Sequence, residues 1–271
     1  MLLAGAVGCA DSAADGSPDR TDVVAGFYPL AWAVEEIGGD SVEVTNLTPA
    51  GAEPHDLELS VRDVERVRGA DLVLYLGEGF QPALAEAAAE AEGTAFDALA
   101  AVDARSGDPH VWLDPRRFAE IVRQIGAELD ARPAAAKLAA RLGALDREYA
   151  RGLASCRRRE LVTAHNAFGY LAERYGLEVV PIAGVSPETE PAPQDLDRVA
   201  EHVRARGATT IFVEPVLSPE VAEAVARETG ARTALLDPLE GLTEEELERG
   251  GDYFSVMRAN LAALREGLGC D

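Results

Sequence analysis

The chain of 271 residues carries 48 acidic against 25 basic side chains, a net charge of −23, and is 47% apolar. It is long and apolar enough to fold around real cores, as one large or two medium domains. Its charge argues against nucleic acid as a partner, since phosphates would be repelled, and mildly favours cations.

In chain order, Met1 to Cys9 is a small apolar run that ends in Gly8-Cys9. It resembles the end of a bacterial lipoprotein signal, shortened and without a preceding Lys or Arg, in which Cys9 would be lipidated. Residues 1–20 are therefore expected to be a truncated signal and tether, and the protein to be extracytoplasmic, either anchored to the membrane or periplasmic. No run of about 18 apolar residues offers a spanning helix. With Cys9 set aside, Cys156 and Cys270 remain. In an oxidising compartment they form either a disulfide or two buried thiols.

Residues 21–115 read as a first α/β lobe. Its expected strands are Asp22 to Phe27, Val42 to Leu47 and the apolar run Asp71 to Leu76. Helices are expected from Pro29 to Ile37, from Ser60 as N-cap to Arg68, and from Pro82 to Glu92. Residues 116–155 are almost wholly helical, with Phe118, Ile121, Val122, Ile125 and Leu129 on one stripe and Leu138, Leu142, Leu145 and Tyr149 on another. A helix of about 20 residues spans on the order of 30 Å and could join two lobes. A second lobe follows over 156–271, with strands Glu160 to Ala164, Glu178 to Ile182, Thr209 to Val213 and Arg232 to Leu236. Helices Phe168 to Tyr175, Gln194 to Arg206 and Pro219 to Thr229 alternate with them. Such alternation predicts an α/β fold of two lobes with mainly parallel sheets, which bind ligands beyond the carboxyl ends of their strands.

Three of the four histidines stand in segments suited to presenting an imidazole: Glu53-Pro54-His55-Asp56, Asp108-Pro109-His110-Val111-Trp112-Leu113-Asp114-Pro115 and Thr163-Ala164-His165-Asn166. The fourth, His202, has polar helical neighbours and reads as a surface residue. Three imidazoles with one carboxylate or water make a tetrahedral zinc site. Asp237, one residue past a strand, is the candidate fourth ligand, although Asp237-Pro238 could equally be a simple turn. Glu214 is its rival or an acceptor for an imidazole N–H. Asp56, Asp108, Asp114 and Asn166 are further candidates to fix the rings. The equal spacing of the three histidines is read as coincidence, because their flanks differ. No His-Glu-x-x-His, Walker loop, Gly-x-Gly-x-x-Gly or Gly-x-Ser-x-Gly motif is present.

Together with Ala70 to Gly77 and Leu236-Asp237-Pro238-Leu239, these histidine segments resemble the metal-binding solute-binding proteins of ABC transporters, the ZnuA/TroA-like (cluster A-I) family. The likeness runs from about Asp22 to Cys270, and Asp-Pro-His-x-Trp-Leu-Asp-Pro is its most specific segment. It implies a C-clamp of two lobes joined by one long rigid helix, and a non-enzymatic monomer that captures Zn²⁺ on His55, His110, His165 and Asp237. The partner implied is a permease driven by a cytoplasmic ATPase. A histidine at the third position favours zinc over Mn²⁺. Asn166 stands where the family often has Asp. Manganese or iron binding, a surface adhesin that keeps the fold, and a zinc hydrolase with Glu214 as general base are the alternatives.

Overall fold

The structure, a computed structural model, describes residues 20–185, 192–215 and 218–271. Cys9 lies outside the described residues. Strands β1 (Thr21–Ala25), β2 (Val42–Asn46), β3 (Leu72–Tyr75) and β4 (Thr94–Asp97) form one parallel sheet in the order β2-β1-β3-β4. Strands β5 (Glu160–Thr163), β6 (Glu178–Pro181), β7 (Thr210–Val213) and β8 (Arg232–Leu235) repeat that arrangement as β6-β5-β7-β8. Each central pair is apolar and buried, as a strand covered by helices on both faces must be. Pro181 falls on the edge strand β6, where its missing N–H costs no ladder bond.

The crossovers of the first lobe are α1 (Tyr28–Gly38), α2 (Val61–Gly69) and α3 (Pro82–Ala88). Ser60 caps α2 through a reciprocal capping box with Asp63. Helix α3 stops at Ala88, short of the expected Glu92, and the chain turns to add β4, an edge strand that its half-polar, four-residue sequence does not announce. Then α4 (Pro115–Glu128) and α5 (Arg132–Gly152) pack together, with Gly126 so close to Ala135 that an added Cβ would lie 2.2 Å from the alanine Cβ. At 21 residues, α5 carries the chain into the second lobe. There α6 (Gly169–Tyr175), α7 (Pro193–Arg206) and α8 (Glu220–Thr229) make the crossovers, followed by α9 (Glu244–Glu248) and α10 (Tyr253–Leu268). A disulfide joins Cys156, just past α5, to Cys270, just past α10.

Each lobe keeps a small core of its own, around Val24, Val67 and Val73 in the first and around Val162, Val203 and Ile211 in the second, but the largest core belongs to both. One buried cluster runs from Phe27, Leu30 and Trp32 in the first half, through Trp112, Phe118 and Tyr149, to Phe168, Leu239, Tyr253 and Met257 in the second. Helix α1 is apolar on nearly every face because Tyr253 and Phe254 of α10 pack on its Trp32, at ring separations of 5.0 and 5.5 Å. Burying each such side chain contributes about 1.5–3 kcal/mol. Polar ties cross the same boundary: the Tyr253 hydroxyl donates to Trp112 O at 2.6 Å, and Trp112 Nε1 donates to Pro238 O at 2.7 Å.

Candidate metal centre

His55 lies in a 3-10 turn over Pro54–Asp56, in the connection that follows β2. Glu53 accepts the His55 N–H at 3.1 Å, and the buried Gln81 amide donates to both Pro54 O and Gly26 O at 3.1 Å. Gly26 must be glycine for this clasp, since a Cβ there would meet Gln81 Oε1 at 2.2 Å. His110 enters from the loop ahead of α4, with Asp108 accepting from its backbone N–H at 3.1 Å and from its Nδ1–H at 2.9 Å. His165 follows β5 directly, and Glu214, placed just past β7, accepts both its N–H at 3.1 Å and its Nδ1–H at 2.7 Å. With each Nδ1 of His110 and His165 committed as a donor, the Nε2 lone pair is directed inward. Both rings are fully buried.

The Nε2 atoms converge on one carboxylate oxygen, Glu240 Oε1, at 3.4 Å from His55, 3.1 Å from His110 and 3.3 Å from His165. The Nε2 atoms of His110 and His165 are 3.4 Å apart. Four ligands held about 2.0–2.1 Å from a tetrahedral zinc would stand about 3.3 Å from one another, so the donor set is already spaced for that ion. His55, His110, His165 and Glu240 are the His/Cys/Asp/Glu group with metal-ligand proximity among the described residues.

Glu240 takes the place expected of Asp237. The reason lies in the turn. Asp237 Oδ1 accepts from Leu239 N at 2.7 Å, while Asn260 accepts from Asp237 N at 2.9 Å and donates to Asp237 O at 2.7 Å. Leu239 is held at φ +56, which swings the next residue, Glu240, towards the imidazoles. Asp237 is therefore the residue that shapes the ligand loop, and its carboxyl is pushed up to about 7 by burial and by the neighbouring Glu246 and Glu240. Glu214 fills the acceptor role, not the ligand role. Asp114 caps α4 at Arg116 N and pairs with Arg117 and Arg174. Asn166 donates its backbone N–H to Gly184 O, leaving the ring of His165 to Glu214. Asp56 is exposed, and His202 is half-buried on α7, outside the cluster. The histidines follow β2, β4 and β5, which are not equivalent strands of the two sheets, so their even spacing is no structural repeat.

The charges of the centre are interlocked. Burial disfavours a charged His165, but the carboxylates of Glu214 and Glu240 outweigh it and carry the imidazole up to about 10. Asp108 and Glu240 raise His110 against the same penalty. Glu240, which burial alone would protonate, is held well below the usual carboxylate range by the three imidazoles that surround its Oε1.

Comparison with known proteins places this geometry. A family model described as the periplasmic component A of a zinc-uptake complex, ZnuA, matches residues 23–267. The high-affinity zinc uptake system protein ZnuA of Bacillus subtilis is 32% identical over an alignment that covers 99% of this chain and 94% of that protein. The zinc-binding protein AdcA of Streptococcus pyogenes is also 32% identical, and this chain, matched over 91% of its length, spans 56% of AdcA. Among solved structures, the Zn(II)-bound ZnuA-like domain of Streptococcus pneumoniae AdcA has a TM-score of 0.79 at 34% identity, covering 92% of this chain and 99% of that one. The laminin-binding protein Lmb of Streptococcus agalactiae has a TM-score of 0.83 at 31% identity, with the same coverage.

Proposed function

Since this chain belongs to the family of periplasmic ZnuA components of zinc-uptake complexes, we propose that it captures Zn²⁺ on His55, His110, His165 and Glu240 and delivers it to an ABC-type permease. The observation that carries this reading is the convergence of three Nε2 atoms on Glu240 Oε1 at 3.1–3.4 Å. Three neutral imidazoles and a carboxylate suit a borderline ion such as zinc better than the harder Mn²⁺.

Four protein donors fill a tetrahedral shell, and that arrangement serves carriage, not chemistry. Hydrolysis needs an open position for water and a free base. Glu214, the base such an enzyme would use, is engaged by His165. Tethering through a lipid on Cys9 fits this role and is supported by the relative in Streptococcus pneumoniae described as a zinc-binding lipoprotein. On this reading the protein works as a monomer outside the cytoplasm. Adhesion is the second reading, favoured by two similar structures described as laminin-binding.

Protein purified without chelator should hold one zinc per chain by elemental mass spectrometry. Manganese or iron at that stoichiometry would overturn the metal assignment. Binding of the zinc-loaded protein to immobilised laminin would establish the second activity.

A further inference from the structure

Asp108, whose carboxylate accepts from His110 Nδ1 at 2.9 Å, stands in the irregular stretch that joins β4 to the 3-10 turn Val111–Leu113. A carboxylate that orients a ligand must itself be held. Here the hold comes from the other lobe. The hydroxyl of Tyr170, on α6, donates to Asp108 O at 3.0 Å and accepts from Arg105 N at 2.6 Å, so one oxygen closes both ends of the turn over 105–108. Within that turn Asp108 N reaches Arg105 O at 3.3 Å. Tyr170 is fully buried, and the guanidinium groups of Arg105 and Arg117 cover its ring at 5.3 and 4.8 Å from the centroid. The residue before it comes as close: a Cβ on Gly169 would lie 2.5 Å from Asp108 Oδ2. Two consecutive residues of the second lobe therefore bound Asp108, one at its carbonyl and one at its carboxylate.

We infer that Tyr170 is a positioning residue for zinc, which aims His110 through Asp108 although it belongs to the lobe that supplies His165. The inference rests on the zinc-capture reading. His165 and Tyr170 stand on one segment, which runs from the end of β5 into α6. That segment thus delivers one imidazole and aims another. The Nδ1–H of His110 needs the Asp108 carboxylate in place if its Nε2 lone pair is to face the ion. Without the hydroxyl, Asp108 O and Arg105 N lose their shared partner and the turn loosens. A ring no longer fixed has to be ordered when zinc binds, and the loss is felt as affinity. Glu173 of α6 also reaches across, pairing with Arg105 at 2.7 Å and Arg117 at 3.4 Å, but its exposed carboxylate contributes little.

The test is a double-mutant cycle on zinc affinity, read by calorimetry with a competing chelator. Tyr170→Phe keeps the buried ring and removes only the hydroxyl. In the otherwise wild-type chain it should weaken zinc by about tenfold, the lower end of the effect of a group that supports a ligand. In an Asp108→Ala background the same substitution should change affinity by no more than about twofold, since the carboxylate it acts through is gone. A hydroxyl that served stability alone would lower the unfolding midpoint without touching affinity, or would act equally in both backgrounds. Either result overturns the inference. Should Tyr170→Phe fail to fold, Gly169→Ala serves in the same cycle. Its Cβ displaces the Asp108 carboxylate, and Asp108→Ala removes the group it would strike, so the same pair of results is expected. A wild type that holds no zinc would instead count against the capture reading, whereas tight binding by the wild type with no loss in the variant overturns the positioning role alone.

Discussion

At the scale of single residues, the centre depends on which carboxylate meets the imidazoles. Glu240→Gln weakens a ligand directly, whereas Asp237→Asn keeps the acceptor for Leu239 N that forms the turn. Calorimetry against a competing chelator should show zinc affinity falling more than about 100-fold in the first and by less than about 100-fold in the second, within the range of a supporting residue. The reverse order would return Asp237 to the ligand position. Protons compete for the same rings. The raised His165 pKa, about 10 against an ordinary 6.5, means the metal-free fold gains stability from the charged ring that is fully present below about 6.5 and is lost as pH rises through about 10. Zinc needs the neutral ring, so its apparent affinity should climb throughout that window instead of levelling off just above 6.5. Chelator competition from pH 6.5 to 9 checks this, and a flat profile contradicts it. The histidines were legible in the sequence because imidazole is rare here and each stands in a distinctive segment. Glu240 was not, being one of 48 acidic residues whose burial and orientation depend on a positive φ at Leu239.

At the scale of elements, most helices and strands follow from apolar periodicity and capping residues. The exceptions are instructive. Strand β4 is an exposed edge with a single aromatic, Phe96, and gains its conformation from pairing with β3. Helix α10 carries apolar residues at helical spacing, but its importance comes from packing on α1 and α5, more than 100 residues earlier in the chain, which no local pattern can reveal. The disulfide acts at this level. It closes a separation of 114 residues, and removing it by Cys156→Ser with Cys270→Ser should cost about 3–5 kcal/mol of stability. Denaturant unfolding would measure that loss. Zinc affinity should change little, because neither cysteine touches the ligands. A variant as stable as the wild type would mean that packing of α10 alone secures the lobe.

At the scale of the whole molecule, the ligands come from both lobes while the largest core runs through both. Opening the cleft by a hinge would have to expose Trp112, Tyr253 and Phe168 and break the bond from Trp112 to Pro238 O. Exposing several such aromatic side chains costs too much for thermal motion to supply often. Small-angle X-ray scattering of metal-free and zinc-loaded protein should therefore superimpose, and a measurable compaction on loading would contradict the shared core. On the proposed capture function, release would fall to local movement of the Asp237–Glu240 loop.

The bond between Cys156 and Cys270 makes the second lobe a closed covalent ring attached to the rest of the chain at one point. A mechanical load applied between the first lobe and any segment beyond residue 270 passes along α5 and across the sulfur bridge without entering that ring. The lobe that supplies His165 and Glu240 is thereby out of the line of force, and tension on the chain would leave half of the metal centre undisturbed.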